Sequence, residues 1–107
     1  MCRQMFRGRN MALIVKKFGG SSVATTEKIM NVAKRVLSEK QPGDQIVMVV
    51  SAMGDTTDDL ITLANGITKD PYQYAREMDM LLTTGEQVSI ALLAMAFKSL
   101  GQPAISL

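Results

Sequence analysis

Residues 14–24 read IVKKFGGSSVA. A lysine, an aromatic ring, two glycines and two serines stand where a β-forming run gives way to a helical pattern. Such a stretch can hold an anion. Glycine amides approach a ligand with no Cβ in the way. A helix N-terminus supplies unpaired donors and a partial positive charge. Ser21 and Ser22 add hydroxyls, and Lys17 adds a full positive charge. The order of residues is not the Walker pattern, in which the lysine follows the glycines, and it is not G-x-G-x-x-G. Spacing alone leaves an anion site evenly balanced against a plain strand-to-helix turn.

Two further loops carry residues of the same kind. SAMGDTTDD begins at Ser51 and brings Thr56 and Thr57 after a second apolar run. In open α/β sheets ligands bind beyond the carboxyl ends of the strands, so parallel strands would put this loop on the same edge as the first. Helix capping is the commoner role for such threonines. TTGEQ sets Glu86 beside Gly85. Read structurally, Thr84 and Gln87 make a capping box and Glu86 suits the first turn of a helix. Read functionally, Glu86 receives a cationic group such as a substrate ammonium. Spacing alone favours the capping role.

These loops need elements to position them. Residues 12–18 read as a strand, and Thr25 or Thr26 can cap a helix whose inward face is Ile29, Val32, Ala33, Val36 and Leu37. Pro42 and Gly43 end it. Residues 46–50 are continuously apolar, the pattern of a parallel strand covered on both faces. Strand, helix and strand make a βαβ unit. Thr57 or Asp58 then caps a helix bearing Leu60, Ile61, Leu63, Ala64 and Ile67. A helix over 74–82 follows, with Ala75, Met78, Leu81 and Leu82 inward, and TTGEQ separates it from an apolar helix over 88–100 that ends at Gly101. Met78, Met80 and Met95 read as core. Asp58, Asp59, Glu77 and Asp79 read as solvated faces or caps. AISL opens a third strand.

The chain has 107 residues, enough for one small domain. Hydrophobic residues make up 47% and aromatic residues 5%, so the core is aliphatic and draws on nine methionines. Net charge is +2, but Arg3, Arg7 and Arg9 lie in the first ten residues and the remainder is slightly acidic, with no basic face for nucleic acid. With one cysteine and no histidine, an intramolecular disulfide, His-based metal sites and His-dependent triads are excluded. The single cysteine fits a reducing cytoplasm. No segment reads as a membrane span, which needs about 20 apolar residues. Residues 1–10 read as a disordered extension before a domain over 11–107. Stable sheets usually have about four to six strands. Two strands and a fragment therefore read as the front portion of a larger α/β domain.

Taken together, KFGGSSVA, VVSAMGDTTDDL and REMDMLLTTGEQVSIALLAMA resemble the N-terminal part of the bacterial aspartate kinases, within the amino acid kinase superfamily, from about Met11 to Leu107. The resemblance implies a three-layer α/β/α sandwich with a mostly parallel sheet, incomplete in this chain. It implies a cytoplasmic phosphotransferase with a carboxyl acceptor, moving the γ-phosphoryl of ATP to the β-carboxylate of L-aspartate with Mg²⁺ held through the ATP phosphates. That reaction opens lysine, threonine and methionine biosynthesis. Carried over by resemblance, Lys17, Phe18, Gly19 and Gly20 match the nucleotide-phosphate loop, with Ser21 and Ser22 beside it. Ser51 matches a serine near the substrates, and Thr57 and Glu86 match aspartate-binding positions. Many relatives have threonine where Ser21 stands, and the hydroxyl is kept. The family's remaining catalytic residues, adenine pocket and regulatory domains lie further along. The 107 residues alone are therefore expected to be inactive, and the full-length enzyme to self-assemble as a homo-oligomer. The competing expectations are a kinase for another small acid and a non-catalytic phosphate-binding or assembly module.

Overall fold

The computed structural model describes residues 2–8 and 11–107. Three strands form one sheet in the order β1-β2-β3: β1 at Cys2–Gly8, β2 at Met11–Phe18 and β3 at Gln45–Val50. β2 and β3 run parallel, in register from Leu13↔Gln45 to Phe18↔Val50. β1 lies antiparallel to β2, from Cys2↔Lys17 to Gly8↔Met11. The sequence set residues 1–10 apart as an extension. Within them Cys2–Gly8 occupies the open edge of β2, where unpaired backbone groups invite a partner. Residues 1, 9 and 10 lie outside the described residues.

Between β2 and β3 runs α1, Thr26–Glu39, completing the expected βαβ unit. The Thr25 side chain accepts from the Lys28 amide at 3.1 Å, so Thr25 is the cap. Ile29, Val32, Ala33 and Val36 face inward, as the 3.6-residue period requires. The turn Gln41–Asp44 closes with Asp44 N donating to the Gln41 carbonyl at 3.1 Å. Gly43 takes the positive φ of 87° that this turn needs after Pro42.

The second helix, α2, covers Thr56–Ile67 and begins two residues before a helix capped by Thr57 would; Asp55 holds the cap position without a side-chain hydrogen bond. The third, α3, is a continuous 25-residue helix, Ala75–Ser99. The expected break at TTGEQ does not occur. Thr83 and Thr84 donate back to the carbonyls of Met80 and Leu81, the bond that threonines make within a continuing helix. Gly85 is accommodated inside the helix although glycine there costs about 1 kcal/mol relative to alanine. Continuity also sorts the methionines: Met78 is buried, whereas Met80 and Met95 are exposed rather than core. The helix stops in a Schellman motif, with Gly101 at φ 86°, Gly101 N donating to the Lys98 carbonyl and Gln102 N to the Phe97 carbonyl.

Unbroken, α3 is long and apolar enough to cross a membrane by length and composition, contrary to the sequence reading, which split it. It also carries Arg76, Glu77, Asp79, Glu86 and Lys98, and it packs on α1, α2 and β3.

The core joins Phe18 and Val50 of the sheet to Val32, Val36, Leu93 and Phe97 of α1 and α3. One face of the sheet is therefore covered. On the other, Leu13, Val47 and Val49 stay 40–45% exposed, so the cover expected on both sides of β3 is absent among the described residues. Residues 102–107 form no strand; Gln102, Pro103, Ala104, Ile105 and Leu107 instead line a cavity of about 580 Å³ with Val36, Ile46 and Phe97.

Pleating sends the two adjacent lysines to opposite faces. Lys17 is exposed, and Lys16 is 1% exposed. Lys16 reaches the end of α1, where its Nζ lies 2.6 Å from Glu39 Oε2, and Arg35 holds the other oxygen at 3.3 Å. The hydrogen bond from Lys16 and its charge, helped by Arg35, hold the Glu39 carboxyl below the usual carboxylate range. A depressed pKa contributes stability above the unfolded value, and it is lost as pH falls through the folded one. Urea titrations should therefore show stability falling below about pH 4.5. Glu39→Gln should lower the midpoint at pH 7 and flatten that acid limb; an unchanged limb would assign it to other carboxylates.

Candidate active site

Parallel pairing brings the ends of β2 and β3 to one edge, and two backbone hydrogen bonds lock their loops together. Ser51 N donates to the Phe18 carbonyl at 3.2 Å, and Gly54 N donates to the Gly20 carbonyl at 3.0 Å. The second loop therefore runs directly over the glycines of the first.

The first loop differs from expectation in one respect. The glycines lead into a single 3-10 turn, Gly20–Val23, and α1 begins only at Thr26, with its first turn capped by Thr25. The glycines therefore stand ahead of the α1 N-terminus in the chain rather than within its first turn. The donors on offer are the amides that open the 3-10 turn, which have no carbonyl one turn earlier to bond. Ser22 N is already used, donating to the Gly19 carbonyl at 3.1 Å. Ser21 is exposed and Ser22 half-buried. Lys17 is exposed and forms no ion pair among the described residues. Phe18 is buried in the core, so only its backbone can serve a ligand. Lys28, which sequence reasoning passed over, donates from its ammonium to the Ser21 carbonyl at 3.3 Å. Its signal was a lysine in the first turn of the helix after the loop.

The two glycines are not equivalent. A Cβ on Gly20 would lie 2.8 Å from the Ala52 carbonyl oxygen, closer than real contacts allow. A Cβ on Gly19 would meet nothing within 4 Å, and its φ of −79° is ordinary for any residue. Packing demands the second glycine and not the first.

In the second loop Ser51 is half-buried, Ala52 buried and Thr57 exposed in the first turn of α2. Glu86 is exposed in the middle of α3, not at a helix start. The preceding Gly85 is buried, and a Cβ there would lie 3.0 Å from Ala52 Cβ and 3.1 Å from Thr56 Cγ2. Glu86 is therefore the residue next to the point where α3 packs on Ala52 and Thr56. The cavity along β3 includes none of these residues and is a separate feature. Among the described residues no group of acidic or cysteine side chains is placed to hold a metal ion.

A parallel α/β edge with a glycine loop and an exposed lysine is an arrangement that can hold an anion. The amino acid kinase family model matches residues 12–107, and the chain belongs to that family. It is 60% identical over 96 residues to an aspartokinase of Bacillus sp. (strain MGA3), covering 90% of this chain and 23% of that protein. Aspartokinase 2 of Bacillus subtilis (strain 168) is 57% identical over the same length, again with 23% of that protein covered. The crystal structure of aspartate kinase from Synechocystis matches with a TM-score of 0.81 and 57% identity, over 87% of this chain and 16% of that one. The chain thus spans about a quarter of the length of the curated relatives it matches.

Gly20→Ala should lower stability by about 1–3 kcal/mol, since the clash is with backbone. Gly19→Ala should be neutral or raise stability by about 0.4–1 kcal/mol through the unfolded chain. Chemical denaturation of the two variants side by side checks this; equal losses would remove the distinction between the glycines.

Proposed function

We propose that this chain supplies the phosphoryl-binding edge of an aspartate kinase, which transfers the γ-phosphoryl of ATP to the β-carboxylate of L-aspartate. Gly19 carries the reading. It is a glycine where neither backbone angle nor packing requires one, and glycine costs conformational entropy. Close approach of a ligand is the return. The identity to aspartokinases over nine-tenths of the chain supports the choice of acceptor.

The roles follow from charge. Lys17 and the amides of Gly19 and Gly20 neutralise negative charge on the phosphoryl group in transfer, where positioning and electrostatics supply most of the rate. The backbone of Phe18 and the hydroxyls of Ser21 and Ser22 line the same loop. Ser51 stands between the loops. Thr57 and Glu86 receive aspartate, Glu86 taking the ammonium. Mg²⁺ arrives with the nucleotide, held through its phosphates; no step here runs through it. A cytoplasmic enzyme of lysine, threonine and methionine biosynthesis fits this chemistry. The apolar sheet face at Leu13, Val47 and Val49 is a surface for further sequence or for a second subunit.

The test is phosphate transfer from ATP, with acyl phosphate trapped as hydroxamate, by the polypeptide encoded by the whole reading frame that contains these residues. Aspartate should be the preferred acid. Lys17→Ala should lower kcat about 10²–10³-fold, Gly19→Ala should raise the KM for ATP without loss of stability, and Glu86→Gln should raise the KM for aspartate. The 107 residues alone should give no turnover above a Lys17→Ala control. Transfer to another acid in preference would overturn the acceptor, and a Lys17→Ala variant with full activity would overturn the site.

A further inference from the structure

Ala52, in the second loop, lies between the first loop and α3. Its carbonyl faces Gly20, where a Cβ would stand at 2.8 Å, and its methyl faces Gly85, where a Cβ would stand at 3.0 Å. Ala52 itself is 4% exposed. Thr56 Cγ2 adds a second wall against Gly85 at 3.1 Å, and Leu60 Cδ1 a third at 3.5 Å. The loop carrying Ala52 is held from both sides, by Gly54 N donating to the Gly20 carbonyl and by Thr56 N donating to the Met53 carbonyl. It has little freedom to retreat.

Gly85 has no conformational reason to be glycine. It lies in the interior of α3 with helical neighbours on both sides, where alanine would favour the helix. What glycine permits is contact between the α3 backbone and the second loop. Glu86 is the next residue, and Thr57 follows Thr56. A displacement of α3 at position 85 carries Glu86 with it, relative to the segment that bears Thr57.

We propose that Ala52 and Gly85 are positioning residues which set the separation between Glu86, Thr57 and the phosphoryl-binding loop. This rests on the phosphotransfer reading above. Contacts of 3.0 and 3.1 Å are tighter than ordinary carbon contacts of about 3.5–4.0 Å, so a methyl at Gly85 makes the two segments give by a few tenths of an ångström. A misplacement of about 1 Å costs about 10²-fold in rate, so a few tenths cost several-fold. The shift acts on the acceptor side, because Gly20 and Lys17 are held by β2 and by the Gly54 hydrogen bond.

The experiment uses the polypeptide of the whole reading frame. Gly85→Ala should raise the KM for the acid acceptor about 3–10-fold, with the KM for ATP changed less than about 2-fold. It should also lower the melting temperature, although helix propensity alone would raise it. Gly85→Ala combined with Ala52→Gly and Thr56→Ser removes the opposing methyls and should restore most of the acceptor KM. Circular dichroism confirms that each variant is folded. A folded Gly85→Ala with an unchanged acceptor KM overturns the proposal. So does an equal rise in both KM values, or a combined variant that regains stability but not acceptor affinity. If the unaltered enzyme transfers no phosphoryl group, the functional reading fails first; if it is active and Gly85→Ala behaves as the unaltered protein does, only the positioning role fails.

Discussion

Parallel pairing of β2 with β3 is the constraint on which the site depends. A parallel ladder puts the carboxyl ends of both strands at the same edge, and here the register matches Phe18 to Val50, the last residue of each strand. The loops therefore leave the sheet side by side. The Ser51 and Gly54 amides can then reach the carbonyls of Phe18 and Gly20. Antiparallel pairing, or a slip of one residue, would send Ser51 and the glycines to different edges or faces. The helix α1 makes the parallel return possible, and its buried stripe on Phe18 and Val50 fixes the register from one side.

Much of this was legible in the sequence because it depends on local pattern. The β-forming run of residues 12–18, the 3.6-residue stripe from Ile29 to Val36, and the Pro42–Gly43 turn each reflect one dominant preference. The family resemblance likewise rested on three continuous strings. What local pattern could not give was contact between distant segments. Gly85 looked like a break because, taken alone, a glycine after two threonines favours one. In the structure tertiary contact with Ala52 and Thr56 overrides that preference, and the threonine hydroxyls bond back into the helix. Likewise the unbroken apolar run of β3 implied cover on both faces, which the described residues supply on only one. AISL carries the composition of a strand, but composition cannot provide the neighbour that a ladder requires.

Three glycines show how one residue type answers different demands. Gly20 and Gly85 are small because Ala52 lies against both. Gly19, one residue from Gly20, has open space and an ordinary backbone. The sequence presents Gly19 and Gly20 as a single motif, and only geometry separates the one that packing needs from the one that a ligand would need.

The lysine pair makes the same point for charge. Lys16 and Lys17 are adjacent and chemically identical, yet a strand gives them opposite faces. The inward one would be a costly buried cation without a partner. Glu39, at the last position of α1, meets that need, with Arg35 one turn earlier holding its second oxygen. The pair also ties the end of α1 to β2. Glu39 answers Lys16 on the covered face, whereas Lys17, on the opposite face, forms no ion pair among the described residues. One lysine holds the helix that makes the parallel return, and the other is left with its charge uncommitted at the edge where that return places both loops.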